Sequence, residues 1–359
     1  MSSKNATSVA IITRTRDRAL LLRRALDSVA RQTFRDYHLV IVNDGGDPAA
    51  VDALVATHPD LSQVSVIHNP ESVGRERAAT VGIAGSTSEF IAILDDDDSW
   101  ANDYLEVTVS WLRTHSDGAV AVRTEVVTEK VDADTIVEIG REMLKPSSYE
   151  VTLSDILHTN YVPPSSMLVR RDAYLSVGGW DGSKTANADW DFMLRLLRAH
   201  TVGFVDGPPR AFWHHRHSED GPLGNSVFAA AHEHLQAEQV IRETYLKRAL
   251  ETGDPVGYLA FIAGLVKNLD TTVWQRLNIV ADRLEQGDDH RYGSRLGEQI
   301  ARIDQLLNRL DQNLDLLDRI REERARSPIR RIGHATRQLT SKLFGGVDPD
   351  ATDPPRHRV

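Results

Sequence analysis

Short apolar runs alternate with amphipathic segments through the first two hundred residues, a pattern that predicts a mostly parallel β-sheet covered by helices. Val9 to Thr13 reads as the first strand. Leu22, Ala25, Leu26 and Val29 then recur at helical spacing behind Asp17, a candidate N-cap. Leu39 to Asn43 reads as the second strand and runs into Asp44, Gly45 and Gly46, after which Asp47 and Pro48 form an N-cap and first-turn pair. Val64 to His68 gives a third strand, Gly74 to Ala84 a helix, and Phe90 to Leu94 a buried strand. Asn160 to Val169 reads as a proline-led turn and a strand. Phe192, Leu196 and Leu197 mark a helix whose first turn carries Asp189 and Asp191. Between Thr124 and Asn160 the pattern assigns loops.

From about Ser226 the chain changes to helices. Leu296, Ile300, Ile303, Leu307, Leu310, Leu314 and Leu317 alternate steps of four and three, a heptad seam that needs a cover. The helices around Tyr258 to Leu269 would serve, and so would a second copy in a coiled-coil homodimer. After Pro328 a basic segment has Ile329, Ile332, Leu339, Leu343 and Phe344 for an opposite face. It suits either an anionic membrane surface or the acidic body of the chain itself. The tail from Asp348 has the composition of a disordered segment.

Bulk properties narrow the function. Lys and Arg total 42 against 52 Asp and Glu in 359 residues, a formal charge of −10, which argues against general nucleic-acid binding. With no cysteine there is neither a disulfide framework nor a thiolate metal site. The apolar run near the amino terminus is too short for a signal peptide. The run from Tyr258 to Val266 is broken by Gly264 and falls far short of a bilayer span. These features predict a soluble or peripheral protein.

Candidate chemistry centres on Asp95, Asp96, Asp97 and Asp98, which follow a buried strand at the end where open α/β sheets bind ligands. Four adjacent carboxylates repel one another, so the stretch reads either as a site for Mg²⁺ or Mn²⁺ holding a phosphate, or as a solvated turn capping the helix from Asn102. Asp44 ends a strand of the same sheet. Its glycines would let backbone approach a flat ligand such as a nucleobase, while its carboxylate accepts from an imide or a ribose hydroxyl. The alternative there is a turn that merely caps the helix at Asp47. Thr13, Arg14 and Thr15 close the first strand on the same rim, and Arg75 opens the helix before the aspartates. Both arginines suit a diphosphate.

Taken in order, VAIITRTRD, TFRDYHLVIVNDGG, VGRERAATVGIAG and FIAILDDDDSW resemble the family 2 glycosyltransferases with the GT-A fold. The resemblance implies an α/β, Rossmann-like, mostly parallel sheet with helices on both faces, followed here by an α-helical C-terminal region with the heptad helix. The expected division is a catalytic domain at 1–222, a helical region at 223–326, and a basic helix with its tail at 327–359. It also implies an inverting transfer of a sugar from a nucleotide diphosphate-sugar, a UDP-sugar being the commonest donor, to an acceptor hydroxyl. Asp44 would then meet the base, and Asp95 and Asp97 the ribose and the metal, with Asp96 sharing one of those tasks. Where the family often has Asn, this chain has Thr80, so no role is carried there.

The second half of the resemblance lies downstream. Gly178, Gly179, Trp180 and Asp181 match a glycine pair with an aromatic and an acid. Ala188, Asp189, Trp190 and Asp191 match the acidic box that carries the catalytic base, except at Ala188. Asp189 is the implied base, with Trp180, Asp181, Trp190 and Asp191 around the acceptor. In similar enzymes a histidine near this point completes the metal shell. Of His214, His215 and His217, the last two share a strand face and are the candidates, and an imidazole ligand would favour Mn²⁺. Packing or surface histidines are the alternative, and SEDGPLGNS after them reads as a loop that could act as a lid. The implied setting is assembly of a bacterial surface polysaccharide or glycolipid, with a saccharide or lipid-linked acceptor. The chain would be cytoplasmic or peripheral at the inner face of the plasma membrane. Two other readings use the same residues. A haloacid dehalogenase-like phosphatase would use Asp95, Asp97 and Ser99, and a non-catalytic coiled-coil scaffold would need only the heptads.

Overall fold

Alternation along the first strands sends Val9 and Ile11 to one face and Ala10 and Ile12 to the other, and all four are buried because helices cover both faces. The structure, a computed structural model, describes residues 7–61, 63–132, 135–216, 223–225 and 231–285. The chain begins β1 (Val9–Thr15), α1 (Ala19–Ala30), β2 (Tyr37–Asp44), α2 (Pro48–Ala56), β3 (Val64–Asn69), α3 (Arg75–Ala84) and β4 (Phe90–Ile93). It continues through β5 (Ser99–Trp100), α4 (Tyr104–Thr114), β6 (Ala119–Val122), β7 (Thr124–Asp132) and β8 (Thr135–Met143). Then come α5 (Leu153–His158), a 3-10 turn (Pro164–Ser166), β9 (Met167–Arg170), α6 (Arg171–Ser176), α7 (Ala188–Ala199), β10 (Val202–Val205) and β11 (Ala211–His215).

A seven-stranded sheet runs β10-β6-β9-β4-β1-β2-β3. It is parallel except at β9, which runs antiparallel to both β4 and β6. On one face α1 and α4 bring Leu22, Leu26 and Leu105 onto Ile11, Leu39 and Ile41. On the other, α3 and α7 bring Ala79, Ile83, Phe192 and Leu196 onto Ile12, Val40 and Ile93. The mostly parallel α/β reading therefore holds. The stretch from Thr124, expected as loops, instead forms a hairpin of β7 and β8 in a second sheet, ordered β5-β11-β7-β8. Its polar and charged residues alternate on a ribbon with one open face, and a bulge between Thr128 and Glu129 interrupts the period, so no apolar run marks it.

One local expectation changes as well. Asp17 does not cap α1: its backbone is left-handed (φ 53°), and its side chain accepts instead from the Asp47 amide at 3.0 Å. Asp47 does cap α2, accepting from the Ala49 amide at 3.0 Å with Pro48 in the first turn. The helices α8 (Ala231–Thr252) and α9 (Pro255–Glu285) follow the sheets, and the compact unit that holds the sheets continues to Thr272. Ile241, Tyr245, Val256 and Ala260 enter the core beside Trp190 and Phe192. Gly264, which interrupts the apolar run, lies within α9. A side chain there would meet Arg242 at 2.9 Å, so the glycine makes room for that guanidinium while the helix continues. Among the described residues no helix is long and apolar enough to cross a membrane. The heptads, the basic segment after Pro328 and the tail lie outside the described residues.

Candidate active site

Chain order reverses between β1 and β4, which pair in parallel with Ile12 opposite Ile93, and the ends of these two strands form the crevice where such sheets bind ligands. The Leu94 amide donates to the Ile12 carbonyl at 2.9 Å, so Asp95 emerges beside Thr13, Arg14 and Thr15. Cations offset the repulsion within the acidic stretch. Arg14 bonds to Asp95. Arg18 bridges Asp96 Oδ1 at 2.8 Å and Asp97 Oδ2 at 2.9 Å. Arg216, fully buried, reaches Asp97 Oδ2 at 2.6 Å and Glu129 Oε2 at 3.0 Å, and Asn225 adds a donor to Asp97 at 3.1 Å.

The four acids consequently differ. Burial works against the charge on Asp97, but Arg18 and Arg216 outweigh it and hold its pKa below the usual value. Burial dominates at Asp96, whose pKa rises to about 7 despite Arg18, with the Asp97 charge pushing it further. Asp98 is also pushed up by burial and by Asp97. It accepts from Ser165 Oγ at 2.5 Å and from the His214 amide at 3.2 Å, and so ties β4 to the turn before β9 and to β11.

A cleft of about 470 Å³ opens over this point. Arg14, Arg75, Glu76, Asp95 and Asp97 line it together with Asn160, Trp180, Asp189 and Trp190. The acids that end β4 and the acid in the first turn of α7, nearly a hundred positions apart in the chain, therefore face one space. Asn160 Nδ2 donates to Asp189 Oδ2 at 2.7 Å, and Trp180 Nε1 donates to Glu76 Oε2 at 2.7 Å. Burial raises the Asp189 pKa to about 6; the Glu76 charge adds to the rise and Arg75 opposes it. A carboxyl poised there is ionised at neutral pH yet basic enough to accept a proton.

The remaining sequence-predicted residues lie behind or beside the cleft. Asp44 is saturated: it accepts from Asn69 Nδ2 (2.8 Å), Ser72 Oγ (2.7 Å), and the amides of Val73 (2.9 Å) and Gly74 (3.0 Å). Burial opposes its charge, but these four bonds hold its pKa below the usual value. The backbone that Gly45 admits is the chain's own, since a Cβ there would stand 2.5 Å from the Ser72 amide nitrogen. Thr13, Thr15 and Asp96 are buried. Asp181 holds a local turn through Ser183 and Lys184. Asp191 points to Arg195 and to the Tyr245 hydroxyl, backing α7 against α8.

The histidine expectation falls partly outside the described residues. Among the described residues no group of three or more histidine, cysteine, aspartate or glutamate side chains could hold a metal ion, and the side chain that β11 and its exit put on Asp97 is Arg216. His215 packs edge-on against Trp213, with ring centroids 4.2 Å apart. His214 is buried between Ser99 Oγ at 2.8 Å and Glu129 at 2.5 Å. His217 and most of the SEDGPLGNS segment lie outside the described residues. Residues the sequence reading missed are Glu76, Asn160, Arg18, Arg216 and Glu129. One signal was available: a two-residue period puts Arg216 on the face of His214, turned away from His215.

Comparison with known proteins fits this geometry. Residues 8–178 match the family model described as glycosyl transferase family 2. The uncharacterized glycosyltransferase YwdF of Bacillus subtilis is 29% identical over 200 residues, 54% of this chain and 69% of that protein. The pre-mycofactocin glycosyltransferase of Mycobacterium tuberculosis is 29% identical over 195 residues, 53% of this chain and 39% of that protein. The crystal structure of Staphylococcus aureus TarS 1-349 superposes with a TM-score of 0.50 at 15% identity, covering 67% of this chain and 65% of that one, and so shares the fold. Each match leaves part of the relative's length uncovered.

Proposed function

We propose that this chain, which belongs to glycosyl transferase family 2, moves a sugar from a nucleoside diphosphate-sugar to an acceptor hydroxyl with inversion. The observation that carries the proposal is the shared cleft, with Asp95 and Asp97 on one strand end and Asp189 on the opposing helix. In a single displacement the Asp189 carboxylate takes the proton of the acceptor hydroxyl as its oxygen bonds to the anomeric carbon. The bond from that carbon to the diphosphate breaks, and its electron pair leaves on the phosphate oxygen. Arg14 and Arg75 line the cleft where that charge would collect. Asn160 fixes the base, and the Trp180 bond fixes Glu76 beside Arg75.

A divalent cation fits the donor set. Asp95 and Asp97 offer hard oxygens to the cleft, and buried Asp96 Oδ2 has no hydrogen-bond partner. A cation held by Asp97 and Asp95 would take further ligands from phosphate oxygens and water, as Mg²⁺ and Mn²⁺ both do, and His217, which lies outside the described residues, is the histidine candidate. Bound there, it would neutralise the departing diphosphate. Asp44, with its four donors, shapes the loop from Asn69 to Gly74 at the rim where the base of the nucleotide would lie. A UDP-sugar heads the donors to test, and a saccharide or lipid-linked acceptor of surface polysaccharide or glycolipid assembly heads the acceptors, because the family resemblance implies both. The phosphatase and scaffold readings lose their support, since the family match and the Asp189 side of the cleft belong to neither.

The test is release of nucleoside diphosphate from UDP-, GDP- and dTDP-sugars with Mn²⁺ or Mg²⁺, with the product's anomeric configuration read by NMR. Release from one donor class with inversion is expected. Release from none, retention of configuration, or full transfer by Asp189→Asn would overturn the proposal.

A further inference from the structure

The cleft has a second wall, and its charge balance differs from that of the acidic side. Beside Asp95 and Asp97 each lining arginine has a lining carboxylate, Arg14 with Asp95 and Arg75 with Glu76. Away from that stretch the lining residues Lys145, Arg242 and Lys267 bring three positive charges, against two negative charges from Glu238 and the base Asp189. The Glu238 carboxylate is shared: Arg242 Nη2 lies 2.9 Å from Oε1 and Lys267 Nζ 2.7 Å from Oε2. Lys145 has no such partner. Its ammonium stands 4.9 Å from the centroid of the Tyr161 ring and meets no carboxylate among the described residues. The wall is thus positive on a chain whose formal charge is −10.

The position of Lys145 is built into the fold. Its backbone is left-handed at φ 48°, a conformation that costs a non-glycine residue roughly 1–2 kcal/mol. It is held by bonds to its carbonyl from Ser148 N at 3.0 Å and from Arg123 Nη1 at 3.3 Å. Arg242 is fixed too, donating to the Ala260 carbonyl at 2.5 Å and to the Leu157 carbonyl at 3.1 Å. Arg242 and Lys267 belong to α8 and α9, beyond the residues matched by the family model.

We propose that this wall is the acceptor subsite and that it selects an acceptor bearing an anionic group, a phosphate or a carboxylate, which pairs with Lys145. The proposal rests on the transferase reading, because it is Asp189 in the same cleft that the acceptor hydroxyl must reach. The Tyr161 ring faces the ammonium from one side, so a ligand anion completes its surroundings without displacing a protein partner.

The experiment measures binding of three probes to the full chain loaded with the nucleoside diphosphate it releases: methyl α-glucoside, its 6-phosphate, and methyl α-glucuronoside. Calorimetry is expected to show one or both anionic probes binding roughly fivefold to tenfold more tightly than the neutral one. Whichever anionic probe binds tighter identifies phosphate or carboxylate as the preferred group. Lys145→Ala should abolish the preference, Lys145→Arg should keep it, and donor KM should not change in either variant. Equal binding of all three probes, or no binding of the anionic pair, overturns the proposal while leaving nucleotide release intact. A Lys145→Ala effect on donor KM instead of probe binding also overturns it, since the lysine would then serve the donor. Failure of nucleotide release from every donor would overturn the transferase reading, and the subsite with it.

Discussion

The Asn160 side-chain amide donates to Asp189 Oδ2 across 2.7 Å, joining the loop after α5 to the first turn of α7. Burial, with the Glu76 charge second, brings the Asp189 pKa to about 6. A base must be ionised to act, so kcat/KM is expected to be flat above that pH and to fall about tenfold per pH unit below it. The Asn160 bond favours the charged carboxylate. Asn160→Ala should therefore move the acid limb to higher pH by about one unit. A limb that stays put in Asn160→Ala would mean that Asp189 is not the group being titrated.

The same pKa is a statement about stability. Asp189 is raised in the folded chain from 3.8 to about 6, so folding favours its protonated form. The sign follows: relative to a neutral side chain, Asp189 costs little below pH 3.8, and its cost grows as the pH rises to about 6 and stays full above it. Asp189→Asn should accordingly stabilise the fold at pH 7.5 by roughly 1–3 kcal/mol while losing transfer. Urea unfolding of the two proteins at pH 7.5 and pH 4 checks this, because the difference should shrink at the lower pH.

How much of this was legible in the sequence follows from the physics of each element. Strands β1, β2 and β4 are buried on both faces, so they read as unbroken apolar runs and were found within two residues. The hairpin of β7 and β8 was hidden because β8 is largely exposed, where Glu138 and Arg141 cost nothing, and because β7 mixes buried Val126 and Val127 with the charged Glu125, Glu129 and Lys130. Asp95, Asp97 and Asp189 were found because the acidic stretch and the box around Trp190 have local signatures. Glu76 and Asn160 have none. Their place in the site comes from Trp180 and Asp189, contacts 104 and 29 positions away in the chain. Asp44 shows the opposite limit: its position at a strand end was legible, but its four donors come from the last residue of β3 and the loop after it.

That saturated carboxylate leads to a further expectation. Asp44→Ala strands four donors at once, two of them backbone amides. The segment from Glu71 to Gly74 should then exchange its amide hydrogens faster, and donor KM should rise, since the loop leads into Arg75 on the cleft. Asp44→Asn, which keeps the shape but offers one acceptor oxygen, should fall between wild type and Ala. If hydrogen exchange in the segment is unchanged in Asp44→Ala, the loop does not depend on this residue.

Arg216 should be the hardest of these residues to replace. It is fully buried between Asp97 and Glu129, and Arg24 is the other guanidinium on Glu129. Arg216→Met removes the buried positive charge that the two carboxylates share, leaving Asp97 with Arg18 and Glu129 with Arg24, and breaking such a buried pair typically costs about 3–5 kcal/mol. Loss of Arg216 also removes one of the three donors on Asp97 Oδ2, leaving Arg18 and Asn225. If the acidic stretch is a cation site, Mn²⁺ should raise the melting temperature of Arg216→Met by more than it raises that of the wild type, because Arg18 is then the one guanidinium left on the Asp97 carboxylate among the described residues and the ion meets more uncompensated charge. The double variant Arg216→Met with Asp97→Asn should lose that extra rise. A Mn²⁺ shift no larger in Arg216→Met than in the wild type would remove Asp97 as the residue that holds the ion, whatever the cation does for turnover.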